Sequence, residues 1–378
     1  METLKGLLSK LDVYRPIPNE VSAQIDSMRG LAAIVVLLAH CNQIFISPTY
    51  HGLYAIFGVI AQSAVMVFFV LSGFLIGKSL TRNASSASGF SLSRYAVDRA
   101  NRIFPPLLFA TAILLALFFL APYTFSTGSN SFIRASEFMA RPGLDLDAMS
   151  IAGSLLFLNG LFTLNIPANA PLWSLSFEVW YYVAAGFIFF YQGAKRVIVF
   201  AAIMCTLGAL NKFFILYSAV WFSGLAICVL HNNNIFNKKV CTIVLAAFGL
   251  PAFALAAYYV GTFYGYTAPS QINMKVIVLY NFFFGIATAA LFFMLVNGLI
   301  KIRPILRGSA EFSYTLYVIH FPILLFIYGT TQTWTLGSVA NSCVVAVGSA
   351  ALCVALASVA ARSVEKARPF GALKAATA

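Results

Sequence analysis

The chain has 378 residues, of which 61% are hydrophobic and only 9% charged, and its mean hydropathy is +0.87. Soluble domains carry about 25% charged residues, so a water-soluble globular fold is excluded and a chain that crosses a membrane many times is indicated. The formal net charge of +13 would suit nucleic acid. Basic residues of membrane proteins, however, gather in cytoplasmic loops and set orientation, so the bilayer and not nucleic acid is the expected partner.

The apolar runs are continuous and do not alternate apolar with polar, which favours helices over a barrel and predicts an all-α integral membrane protein. Residues 1–25 are polar, and no small-residue cleavage site follows, so no cleavable signal peptide is expected. Runs of spanning length lie at about 29–46, 53–80, 103–120, 172–191, 197–210, 213–230, 240–260, 275–300, 312–328 and 336–361. The linker 81–102 is Ser-rich and basic, and Pro105-Pro106 is expected in the first turn of the third span, where proline is tolerated. A long polar connection, 121–171, holds a moderately apolar piece at 151–164 that contains Asn159 and is too short to span. It reads as re-entrant or interfacial. The expected division is a cytoplasmic segment 1–24, a transmembrane domain 25–365 and a short cytoplasmic tail 366–378. No internal repeat is evident.

Charge tests this topology. Ten spans with both termini cytoplasmic leave only Arg134, Arg141, Lys212 and Lys275 outside, so 20 of the 24 Lys and Arg residues fall on the inner side. The six cysteines (Cys41, Cys205, Cys228, Cys241, Cys343 and Cys353) form no CxxC pair and no metal-ligand spacing. They read as small buried hydrophobes.

The stretch Asp26–His40 is the least comfortable in lipid. Arg29 and His40 are eleven residues apart, hence on one helix face roughly 16 Å apart along the axis. Ionisable residues inside a span are functional candidates. Asp26 and Arg29 are three apart and can pair at the inner end, which would also suit a plain helix anchor. Trp173 suits the outer interface, and Glu178 then lies about 8 Å deeper, level with His40. A carboxylate beside an imidazole fixes its tautomer and suits it to act as a base; a pair that only locks two helices would look the same. Arg99 and Arg102 face one side of the turn leading into the third span, a spacing that suits a phosphate-bearing ligand as well as ordinary positive-inside loading. His320 precedes Pro322, which frees the Val318 carbonyl; His320 could answer that freed backbone, a structural role. His51 and His231 read as solvated loop residues. Ser72 could be a nucleophile, though small residues in spans more often serve packing.

Five stretches together resemble the membrane-bound acyltransferase 3 family, which includes bacterial O-acetyltransferases of surface polysaccharides. They are Ile25-Asp26-Ser27-Met28-Arg29-Gly30 through His40; Phe68 to Ile76 with Ser72-Gly73; Arg99-Ala-Asn-Arg102-Ile-Phe-Pro105; Trp173-Ser174-Leu175-Ser176-Phe177-Glu178; and Ser313-Tyr314-Thr315-Leu316-Tyr317 through His320-Phe321-Pro322. The likeness covers about residues 20–365 and implies ten spans and the stand-alone form, without an extracytoplasmic domain after the spans. It implies an acyl-CoA donor, acetyl-CoA by default and consumed as substrate, on the cytoplasmic side of a bacterial inner membrane. No permanently bound cofactor or metal is expected.

An extracytoplasmic saccharide hydroxyl would be the acceptor. Arg99 and Arg102, with Arg29, would hold the CoA phosphates; His40 would be the base, with Glu178 orienting it; Trp173, Tyr317, His320 and Asp26 would support them. Direct transfer and an acyl-enzyme intermediate both remain open. Two other classes are weighed: a secondary transporter or flippase of a lipid-linked saccharide or small anion, which also places polar residues at mid-depth, and a non-catalytic assembly partner. The His-x4-Asp motif of another acyl-transfer class is absent, since Phe45, Ile56, Phe236 and Leu325 stand five residues after the four histidines.

Overall fold

The computed structural model describes residues 11–371 apart from 265–267, 269, 270 and 272. Among them the chain is all-helical, with eleven α-helices, ten of them long and apolar enough to cross a membrane. The ten are α1 (Asn19–Cys41), α2 (Tyr54–Ala84), α3 (Leu92–Thr124), α5 (Trp173–Phe190), α6 (Gly193–Leu210), α7 (Lys212–Asn232), α8 (Lys238–Phe263), α9 (Met274–Val296), α10 (Ser313–Thr335) and α11 (Val339–Val364). Ten crossings return the chain to the side on which it starts, called here the terminal side. The eleventh, α4 (Ala148–Leu155), is eight residues long, about 12 Å at the helical rise, and cannot span.

The basic linker proves mostly helical. Ser91 caps α3 by accepting from the Arg94 amide at 3.3 Å, so α3 starts at Leu92 and carries Arg94, Arg99 and Arg102. Pro105 and Pro106 therefore sit inside the helix and not in its first turn, and they free the carbonyls of Asn101 and Arg102. The 121–172 connection enters the bundle. Asp147 caps α4, accepting from the Ser150 amide at 2.8 Å, which holds its carboxyl below the ordinary range. Beyond α4, Trp180 Nε1 donates to the Phe157 carbonyl at 3.0 Å, Asn211 Nδ2 donates to the Gly160 carbonyl at 2.8 Å, and Phe157 packs on Phe104 of α3.

Two apolar clusters form the core. One gathers side chains of α2, α5, α7 and α9 around Phe69, Phe74, Trp221 and Phe292; the other gathers α1, α3, α10 and α11 around Leu37, Leu107, Leu324 and Cys353. Phe68, Tyr182 and Tyr317 touch both and mark the seam between them. Four cysteines are buried as expected, but Cys205 and Cys343 lie on the outer surface of the bundle. His231, expected in solvent, is only 2% exposed. The chain leading into α1 covers it: Lys78 Nζ donates to the Arg15 carbonyl at 2.9 Å, and Arg15 donates to Asn234 Oδ1 at 2.7 Å.

Two glycines let two helix backbones meet. A Cβ on Gly73 would stand 2.0 Å from the Trp221 carbonyl, and one on Gly224 would stand 2.1 Å from the Val70 carbonyl. The α2 and α7 backbones thus nearly touch, and Trp221 is brought onto Ser72. We expect Gly73→Ala to lower stability in detergent by about 1–3 kcal/mol through overpacking, read as a fall in the thermal unfolding midpoint. Gly348→Ala in α11, whose Cβ meets nothing, should not lower it.

Candidate active site

A cavity of about 330 Å³ lies in the seam. Its terminal-side end is basic: Arg29 from α1 and Arg99 and Arg102 from α3 line it, below apolar walls of Phe68, Leu71 and Leu75 from α2. A second hollow of about 420 Å³, lined by Asp26, Arg307, Glu311 and Glu365, shares Arg29 and Arg102 with the first. These two guanidiniums form a neck between the chambers. Arg29 pairs with Asp26 at 3.7 Å, as its spacing predicts, and its Nη2 donates to Ser313 Oγ at 3.4 Å. Gly30 lets this happen, because a Cβ there would collide with Ser309 and the Leu306 carbonyl. The Arg99 Nε–H is buried and has no protein acceptor among the described residues. Such a donor calls for an acceptor from outside the protein.

Glu178 also faces this cavity, on α5. Its Oε1 accepts from Ser72 and from Tyr182, and Ser72 Oγ in turn accepts from Trp221 Nε1 at 3.1 Å. The expected Glu178–His40 partnership is therefore corrected: Glu178 has no hydrogen bond to His40 and shares a chamber with the arginines. The cause is Trp173. It does not sit at an interface but is half-buried against Phe69, Phe177 and Tyr217. A buried 3-10 segment, Pro167–Leu172, runs ahead of it inside the bundle, so every depth counted from Trp173 shifts toward the terminal side. Ser72, engaged on both sides, holds Glu178.

His40 ends α1, where the helix widens into a π-turn, Asn42–Ile46; single π-turns recur at functional sites. His40 Nδ1–H donates to Gln43 Oε1 at 2.9 Å, which leaves the Nε2 lone pair open. Its ring stacks on His320 at 5.3 Å and meets the Phe321 edge at 5.0 Å. His320 donates from Nδ1 to the Leu316 carbonyl at 3.0 Å, and its Nε2 is buried without a protein partner among the described residues. The carbonyl that Pro322 frees, Val318, is answered by Asn169 Nδ2 at 2.9 Å. His320 therefore does not serve that backbone, contrary to expectation.

Tyr317 stands beside His320, its ring centre 6.1 Å from that of the imidazole. It lines the cavity, its OH donates to the Pro171 carbonyl at 2.7 Å, and Ser174 lies 2.6 Å from that OH. Neither histidine lines the cavity. Arg141 completes the far side: its Nε donates to the Pro167 carbonyl at 2.8 Å and its guanidinium lies 5.7 Å from the Phe321 ring centre. Sequence reading counted Arg141 only as one of four outer cations. Its loop position carried no further signal.

The order of these parts is an arginine neck, an apolar slot and then a histidine pair behind a tyrosine wall. The acyltransferase 3 family profile, described as an acyltransferase domain, matches residues 22–358. The chain belongs to this family. It is also similar to a protein of Shigella phage Sf6 named O-acetyl transferase, with 23% identity over 329 residues covering 81% of this chain and 85% of that one. No solved structure matches. In this acyltransferase the Asn169 bond can be weighed directly. Asn169→Ala strands a buried carbonyl and should cost about 1–3 kcal/mol. In a Pro322→Ala background, where residue 322 regains its N–H, the same change should cost clearly less, and a double-mutant cycle on unfolding midpoints measures the difference.

Proposed function

We propose that the chain moves an acetyl group from cytoplasmic acetyl-CoA to a hydroxyl of an extracytoplasmic saccharide, such as a polysaccharide, lipopolysaccharide or lipid-linked glycan. The membrane would be a bacterial inner membrane, with the terminal side cytoplasmic because most basic residues fall there. The observation that carries the reading is the arginine neck. Three guanidiniums converge where an apolar slot begins, and one has a buried N–H without a protein acceptor. A CoA ester has the matching shape: an anionic, phosphate-bearing head and a slim, largely uncharged pantetheine arm.

Arg29, Arg99 and Arg102 bind the phosphates, and the arm lies along Phe68, Leu71 and Leu75. Glu178, held by Ser72 and Tyr182, faces the slot, where the amide N–H groups of pantetheine are the donors it can accept. The acceptor enters from the side of Arg141. His40 Nε2 takes the hydroxyl proton, the oxygen attacks the thioester carbonyl, and the carbon–sulfur bond breaks. Gln43 keeps His40 in the tautomer this requires.

Purified protein with labelled acetyl-CoA and saccharide acceptors tests the reading. His40→Ala should lower kcat by about 10²–10⁴-fold, and undiminished transfer by that variant would overturn the mechanism. Arg102→Ala should raise KM for acetyl-CoA by roughly 10–150-fold, the loss of one charged hydrogen bond of about 1.5–3 kcal/mol, with little change in kcat. Movement of a saccharide across vesicles without acetylation would favour a transporter.

A further inference from the structure

We propose that His320 is a second acid–base group of the site, which passes to the departing sulfur the proton that His40 takes from the acceptor hydroxyl. The inference rests on His40 being that base. It starts from an atom without a use. His320 is 1% exposed, its Nδ1 proton is committed to the Leu316 carbonyl, and its Nε2 lone pair has no protein partner among the described residues. A buried acceptor left unmade costs about 1–3 kcal/mol. The structural task nearest to hand, capping the carbonyl that Pro322 frees, already belongs to Asn169.

Position then gives the atom a task. The His320 ring stacks on His40 at 5.3 Å on one side and lies 6.1 Å from the Tyr317 ring on the other, and Tyr317 lines the slot. His320 thus stands between the base and the place where sulfur leaves. Neither ring is built to keep the proton. Neither imidazole has a carboxylate among its hydrogen-bond partners. Arg141 rests over the Phe321 ring, which packs against His40. A like charge disfavours a proton that stays on His40, and burial disfavours one that stays on His320, so the proton comes to rest on the thiolate.

The proton balance closes without another reagent. The acceptor hydroxyl gives its proton to His40 Nε2, and its oxygen forms the new ester bond. The carbon–sulfur bond breaks and its electron pair goes to sulfur. The proton moves from His40 to His320 Nε2 and then to the thiolate. Both imidazoles end neutral, as they began.

The test uses the purified full chain with methyl glycosides as acceptors and two donors, acetyl-CoA and S-phenyl thioacetate. Phenylthiolate departs readily without a proton, whereas the alkyl thiolate of CoA does not. His320→Asn keeps a side-chain amide near the Nδ1 position for the Leu316 carbonyl and removes Nε2. With acetyl-CoA it should lose about 10²-fold in kcat at unchanged KM; with S-phenyl thioacetate the loss should stay within about tenfold. His40→Ala should lose heavily with both donors. His320→Gln, whose amide cannot relay a proton, should behave as His320→Asn does and carries the comparison if the latter fails to fold.

An active His320→Asn, or equal losses with the two donors, overturns the relay and leaves the preceding reading standing. A wild type that transfers from neither donor overturns both.

Discussion

Guanidiniums inside a membrane bundle need polar partners, because the hydrocarbon of lipid offers nothing to hydrogen-bond them. Much of the site follows from this constraint. Arg29 is answered by Asp26 one turn away and by Ser313 at the start of α10. Glu178 faces the same chamber, and its own cost of burial is offset by Ser72 and Tyr182. Ser72 reaches Glu178 with Trp221 behind it because Gly73 and Gly224 let two helix backbones meet. A chain of local requirements thus runs from a charge at the neck to glycines on another pair of helices. The signature Ser72-Gly73 is one piece of it.

The second organising element is a broken helix ladder. Pro322 interrupts α10, and the connection between α3 and α5 fills the gap with Asn169. That bond ties the entering loop to the helix that carries Tyr317 and His320. It also explains why the end of this connection, Pro167–Leu172, lies within the bundle.

Much of this was legible in the sequence, for identifiable reasons. Spans are set by hydropathy and length, both one-dimensional, and all ten were found. The Asp26–Arg29 pair is local, so its spacing sufficed. The relation of Glu178 to His40 was not legible. Depth along a helix depends on where that helix begins, and Trp173 has the residue type of an interface anchor although a buried 3-10 segment precedes it. Composition cannot report such a segment. Pro105 and Pro106 misled in the same way, because the Ser91 cap that starts α3 earlier lay in a stretch whose serines read as linker. His231 and Arg141 failed for a third reason: what buries the one and aims the other comes from chain segments far away in sequence, and nothing in their neighbours records that.

The wall formed by Tyr317, Ser174 and Pro171 has a further consequence. The two-sided transfer proposed above carries a demand of its own, since such an enzyme must not short-circuit the ion gradient that its membrane maintains. A continuous polar channel through the seam would leak protons at every encounter with water. Here the slot ends on a hydrogen-bonded tyrosine, and the imidazoles stand on its far side. In the reading proposed above, the barrier is this single layer of side chains, and the acyl group is what has to pass it. Insulation and reactivity share the same few ångströms.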